Sequence, residues 1–341
     1  MKLRRSMAVA AILAVGIASA ACSSDTESLS ESSSTVGADS ASEGNWPRTI
    51  TDETGSVTID KKPERIVSTS VTLTGSLLAL DAPIIGTGTQ APSSVTDKDG
   101  RFSQWADVAD EKGVETLYQG APNVERITAA EPDLIFVSAG GADTAREQVD
   151  ILKQIAPVVL LRYDDKSWQD LSIQIAGIIG AEEQAQEIIS EFDTRIDEAK
   201  TELGDKISAA NPVNVLTYNS PEDSRIFTPV SAQGMLLTRL GFSLAELPTV
   251  ITDADAGDFA GRKDVYPATQ ENLPLALPGN TTMIVSATEP DAERFVADPL
   301  LRDTPSVQQD QVFALGEESF RLDYYSAKLL VDNIVEELDN Q

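Results

Sequence analysis

The two residue types that carry most nucleophilic and metal chemistry are almost missing from this chain, and that narrows what it can be. Its 341 residues contain no histidine and one cysteine, Cys22. A Ser-His-Asp or Cys-His nucleophile system therefore lacks its base. Zinc or copper sites built on imidazole and thiolate are excluded for the same reason. Carboxylates remain, 55 Asp and Glu in all, and a pair of them can serve as general acid and base. No spacing singles out such a pair, and in so acidic a chain chance pairs are expected. The chain reads as a binder rather than an enzyme.

Cys22 points to other chemistry. Lys2, Arg4 and Arg5 precede an apolar run from Met7 to Ala18, and Ser19-Ala20-Ala21 place small residues before the cysteine. This is the layout of a secretory signal, and the run is too short for a bilayer span of roughly 20 residues. A thiol directly after small residues resembles a bacterial lipobox, in which cleavage leaves an acylated cysteine as residue one. Ser19 stands where that pattern usually has leucine. The expectation is a signal peptide over 1–21 and a lipid anchor on Cys22, with an incidental cysteine as the competing reading. Ser23 to Glu43 is rich in Ser, Ala, Thr, Asp and Glu. It cannot repay its ordering entropy by burial, so 22–45 is expected to be a flexible tether.

The formal charge is −29. Phosphate contacts need clusters of Lys and Arg, so the balance argues against nucleic acid as a partner. With one cysteine there is no internal disulfide. Beyond Trp46 the chain is long enough for two lobes with separate cores. Short apolar runs alternate with helical patterns, which predicts an α/β fold. Strands are expected at 65–68, 83–88, 133–138 and 158–161, with a helix at 73–80 and another at 143–154. Between Ala181 and Leu203 the apolar residues Ala185, Ile188, Ile189, Phe192, Ile196, Ala199 and Leu203 are spaced three or four apart. That stripe predicts one long helix. Strands then restart at 213–218, 282–286 and 311–315, and a final amphipathic helix carries Ala327, Leu330, Val331 and Ile334. The expected division is an N-terminal lobe over 46–180, a connecting helix over 181–205 and a C-terminal lobe over 206–341. Ligand would sit where the loops of both lobes converge.

Several loop sequences carry a family resemblance: Trp46-Pro47-Arg48, RIVSTSVTLTGSLLALDAP over 65–83, YDDKSW over 163–168, SAQGMLLTRLGF over 231–242 and FRLDYYSA over 320–327. They resemble the iron-siderophore branch of the substrate-binding proteins that serve ABC importers, in particular its ferric-enterobactin-binding members. The resemblance runs from about Trp46 to the C-terminus. It implies two three-layer α/β lobes joined by a single long helix, with small closure on binding. It also implies a ferric catecholate siderophore as cargo, an ABC permease and its ATPase as partners, no cofactor, and a monomer outside the cytoplasm.

Ferric iron prefers oxygen ligands, and a tris-catecholate supplies them all while leaving a trianion faced with rings. The receptor then needs fixed positive charge and flat surfaces rather than metal ligands. Arginine answers both demands. The resemblance marks Arg321, in FRLDYYSA, as pocket-facing, with Tyr324 in the same stretch. The competing reading of Arg321 is an ion pair with Glu317, Glu318 or Asp323. Arg262 matches a basic cluster of the relative, and Phe227 sits where the relative has tryptophan. In the first lobe the relative's basic position matches Ser94, a departure that leaves Arg101 as the substitute, with Trp105 in the same loop. Trp168 reads as packing. Glu147 is a candidate permease contact. The alternatives are another ferric siderophore or a corrinoid as cargo, or a surface lipoprotein outside transport.

Overall fold

The computed structural model describes residues 45–252 and 261–339. Cys22, the expected signal peptide and tether residues 22–44 lie outside the described residues.

The first half runs β1 (Arg48–Asp52), β2 (Gly55–Ile59), β3 (Ile66–Ser68), α1 (Val71–Ala79), β4 (Ile84–Thr89), α2 (Ser103–Glu111), β5 (Glu115–Gln119), α3 (Val124–Ala129), β6 (Leu134–Ser138), α4 (Val149–Leu152), β7 (Val158–Leu161) and α5 (Trp168–Ile179). Strands β3 to β7 form a parallel sheet in the order β5-β4-β3-β6-β7. β6 and β7 are buried at every residue, as strands covered by helices on both faces must be. The order reverses between β3 and β6. A crevice therefore opens beyond the carboxyl ends of those two strands, the usual ligand position in such sheets.

β1 and β2 pair as an antiparallel hairpin that lies along the β7 edge, where Leu160 N–H donates to the Asp52 carboxylate at 2.8 Å. Just before β1 and at its start the chain is tied down by Trp46 and Arg48. The buried Arg48 guanidinium donates to Gly177 O at 2.7 Å, pairs with Glu182 at 2.5 Å and stands 4.8 Å from the Trp46 ring centre.

α6 (Glu182–Leu203) is the long helix, and Ala185, Ile188, Phe192, Ile196, Ala199 and Leu203 form its buried stripe. At about 1.5 Å per residue it spans roughly 33 Å. The second half runs α7 (Asp205–Ala210), β8 (Val213–Ser220), β9 (Asp223–Phe227), α8 (Ala232–Leu240), α9 (Thr249–Thr252), β10 (Val265–Ala268), β11 (Thr281–Ile284), α10 (Glu289–Val296), α11 (Pro305–Gln308), β12 (Val312–Ala314) and α12 (Tyr324–Asp339). Its sheet has the order β10-β9-β8-β11-β12, with β8, β11 and β12 parallel and β9 and β10 antiparallel. The architecture is thus α/β, two three-layer lobes joined by one long helix. α12 returns across the molecule to pack on α6 and on α1 and α2 of the first lobe. One apolar core, which includes the α6 stripe, continues from Leu77 and Phe136 through Phe192 to Val215 and Leu237.

The helix expected over 143–154 is not formed as such. A 3-10 turn at Arg146–Gln148 leads into the four-residue α4. Side-chain hydrogen bonds hold the residues before it as a loop. The Asp143 carboxylate accepts from Ser70 Oγ at 2.5 Å and from the Thr72 N–H at 3.1 Å, and Thr144 Oγ1 donates to Ser138 O at 2.7 Å.

Candidate ligand-binding site

A cavity of about 660 Å³ is walled by both lobes, a volume typical of small-molecule sites. Thr72, Phe102, Gln104, Tyr163, Lys166 and Trp168 line it from the first lobe. Phe227, Met235, Arg262, Lys263, Phe320 and Arg321 line it from the second half of the chain. A hollow of about 210 Å³ shares the Phe102, Gln104, Phe320 and Arg321 walls.

Arg321 owes its position to the start of α12. The Asp323 N–H donates to Ser326 Oγ at 2.9 Å, and the Ser326 N–H donates back to Asp323 Oδ1 at 2.9 Å. This reciprocal cap fixes the helix entry. Ser326 Oγ also donates to Arg321 O at 2.9 Å, which anchors the arginine backbone. The guanidinium carbon stands 5.5 Å from the Phe102 ring centre. Among the described residues no carboxylate forms an ion pair with Arg321, so the pairing with Glu317, Glu318 or Asp323 is not made. The second Asp323 oxygen accepts from Gln104 Nε2 at 3.3 Å. Burial raises the Asp323 carboxyl above its ordinary range, and its hydrogen bonds only partly offset that.

Arg262 lines the cavity while paired with Asp264, with contacts at 2.5 and 3.0 Å. Lys263 beside it is exposed. Phe227 is 9% exposed and meets Phe320 edge-on, ring centres 6.3 Å apart. Tyr163 opens the loop after β7 and donates to Asp143 Oδ1 at 3.0 Å. Burial, then the Asp143 charge, push its phenol up to about 12, so it faces the cavity as a neutral ring. Trp168 packs edge-on against Phe192 and Tyr324 and lines the cavity as well.

Three expectations are corrected by placement. Arg101 does not supply a cation to the cavity, because its buried guanidinium is taken by Asp97 at 2.9 Å, Asp110 at 2.7 Å and Asp99 at 3.3 Å. Trp105 lies on the buried face of α2 itself, fully buried and edge-packed on Phe102, so it offers no platform. Tyr324 is aimed at α6 instead, where its hydroxyl donates to Glu191 at 2.6 Å. Glu147 is exposed, in the 3-10 turn rather than on the expected helix.

Tyr163, Phe102 and Phe320 are cavity residues that sequence reasoning did not name. A signal existed for Tyr163, which lies two residues beyond the carboxyl end of a parallel strand. Phe102 and Phe320 adjoin arginines that were named, but nothing in the sequence told their rings from core aromatics.

Among the described residues no group of three or more Cys, Asp or Glu is placed to hold a metal ion. No described helix is long and apolar enough to cross a membrane. Two lobes on one rigid helix, sharing a cavity of rings and cations, define a solute-binding protein. The chain belongs to the periplasmic binding protein family, whose sequence pattern matches residues 66–245. It is similar to the ferric enterobactin-binding periplasmic protein FepB of Escherichia coli O6:H1 (strain CFT073), 44% identical over 291 residues, 85% of this chain and 90% of that protein. It is also 32% identical over 251 residues to the probable siderophore-binding lipoprotein YfiY of Bacillus subtilis (strain 168), covering 72% of this chain and 69% of the relative. Among solved structures, holo-ViuP superposes with a TM-score of 0.74 at 33% identity, covering 86% of this chain and 95% of that one. The curated relatives are binding proteins, and this chain is likewise a solute-binding protein rather than an enzyme.

Proposed function

We propose that this protein captures a ferric catecholate siderophore of the enterobactin type and delivers it to an ABC permease driven by its ATPase. The observation that carries the reading is Arg321, a cation on the cavity wall that is backed by an aromatic ring and free of carboxylate partners among the described residues. A tris-catecholate complex keeps a charge near −3 on oxygen atoms and presents flat rings. Arg321, Arg262 and Lys263 answer the charge, while Phe227, Phe320 and Tyr163 answer the rings. The similarity to an enterobactin-binding relative supports the choice of cargo.

The chain is read as a leader over 1–21, an anchor on Cys22 with a tether to residue 45, lobes over 46–180 and 206–341, and a connecting helix over 181–205. It would act as a monomer on the outer face of a membrane, with Glu147 as a permease contact from the first lobe.

Fluorescence titration with paired iron-loaded and iron-free siderophores tests the cargo. Trp168 lines the cavity, so ferric enterobactin should quench emission and saturate, and the iron-free chelator should not. A receptor that ignores every iron chelate offered would overturn the proposal. For the anchor, mass analysis should find acylated Cys22 as the first residue, and Cys22→Ser should leave the protein in the soluble fraction.

A further inference from the structure

The chain changes allegiance within one peptide of the cavity wall. Up to Phe320 it is held by the second lobe. Gln233 of α8, itself 3% exposed, donates to Ser319 O at 2.9 Å and to Phe320 O at 2.7 Å, and the Phe320 ring packs edge-on against Phe227. At Arg321 and Asp323 the side-chain partners are in the first lobe. The Arg321 guanidinium stands over Phe102, and Asp323 takes the Gln104 amide. Asp323 also fills a notch that only glycine leaves open, since a Cβ on Gly75 of α1 would lie 2.3 Å from Asp323 Oδ2 and 2.9 Å from the Trp105 ring. α12, which follows, packs on α1 and α2.

We propose that Phe102, Gln104 and Asp323 are positioning residues that give Arg321 to the first lobe, so that the C-terminal segment supplies that wall with a cation held by no carboxylate among the described residues, whereas its own Lys166 is paired with Asp165. Phe320 and Arg321, though adjacent in sequence, then approach the cargo from opposite walls. Arg101 cannot fill the same role because three carboxylates already hold it. The binding consequence rests on the anionic cargo proposed above, whereas the placement of Arg321 does not.

A ligand-free measurement tests the placement. In the nitrogen-15 spectrum the Arg321 Nε–H signal should be displaced by the Phe102 ring current. Phe102→Leu should return it toward the exposed arginines, while Phe102→Tyr should keep it displaced. A signal unmoved by Phe102→Leu overturns the proposal. If that variant does not fold, Gln104→Met carries the test, with the same signal expected to shift and an unmoved one counting against the proposal.

Ferric enterobactin titrations test the consequence. Phe102→Leu should weaken binding roughly three- to tenfold, the scale of one cation–π contact, and should have no further effect in an Arg321→Ala background. Equal losses in both backgrounds would mean that Phe102 acts on the cavity by itself, and would sink the positioning role. A parent protein that binds no ferric chelate refutes the proposed cargo and leaves the spectrum to decide the placement.

Discussion

At the scale of single residues, binding hinges on groups whose local partners are already spent or still free. Arg101 and Arg321 are both arginines beside aromatic residues, yet one is held by three carboxylates and the other by none among the described residues. Truncating a desolvated cation opposite an anion costs about 2–5 kcal/mol. Arg321→Ala is therefore expected to lose that much affinity for ferric enterobactin in a quenching titration, while Arg101→Ala should act on stability instead. Asp323 gives a pH signature. Its carboxyl is raised above the ordinary 3.8 by burial, so the folded state holds the proton more tightly than the unfolded chain does. The stability it contributes is full below the unfolded value and is lost as pH rises through the folded one. Asp323→Asn cannot ionise and escapes that loss. Urea melts from about pH 4 to pH 7 should show the variant gaining on the parent as pH rises, and a constant difference would contradict the assignment.

Among the elements, two close fits can be probed. Gly75 lies inside α1, where alanine would ordinarily favour the helix by up to about 1 kcal/mol. Here the added methyl meets Asp323 and Trp105, so Gly75→Ala should instead lower stability, by about 1–3 kcal/mol as overpacking does. Arg48→Met removes a charge-assisted bond to Glu182 and another to Gly177. It should cost about 1.5–3 kcal/mol, read as a lower urea midpoint at unchanged slope. Elements with strong periodicity were legible in the sequence. The α6 stripe and the apolar runs of β6 and β7 announce themselves by spacing and by burial on both faces. β5, β9 and β10 did not, because Glu115–Gln119 and Asp223–Phe227 mix polar and apolar residues without clean alternation, and the four residues of β10 include Pro267. The 143–154 segment has helical spacing, but Asp143 and Thr144 give their side chains to neighbouring segments instead. The site was half legible. Loop resemblance pointed to Arg321, Arg262 and Phe227. Which arginine is consumed by carboxylates, and that Tyr324 turns toward Glu191, depends on folding that brings distant segments together.

For the whole molecule, the formal charge of −29 would oppose the proposed trianionic cargo at long range, leaving attraction to the cavity. Screening lengths shorten to roughly 8 Å at physiological salt, which weakens the distant repulsion more than the contact. Association rates measured by stopped flow should therefore rise or stay level as salt is added from low ionic strength. A steep fall would mean that the field at the cleft is attractive after all. The core that runs from the first sheet past α6 into the second favours small rocking over wide opening, because a packed interior resists continuous deformation. The strap at Trp46 and Arg48 bears on mechanics as well. Arg48 ties the start of β1 to Gly177 and Glu182, at the corner between α5 and α6. A pull on the chain ahead of β1 would thus load the base of the rigid spine and leave the two jaws to keep their grip.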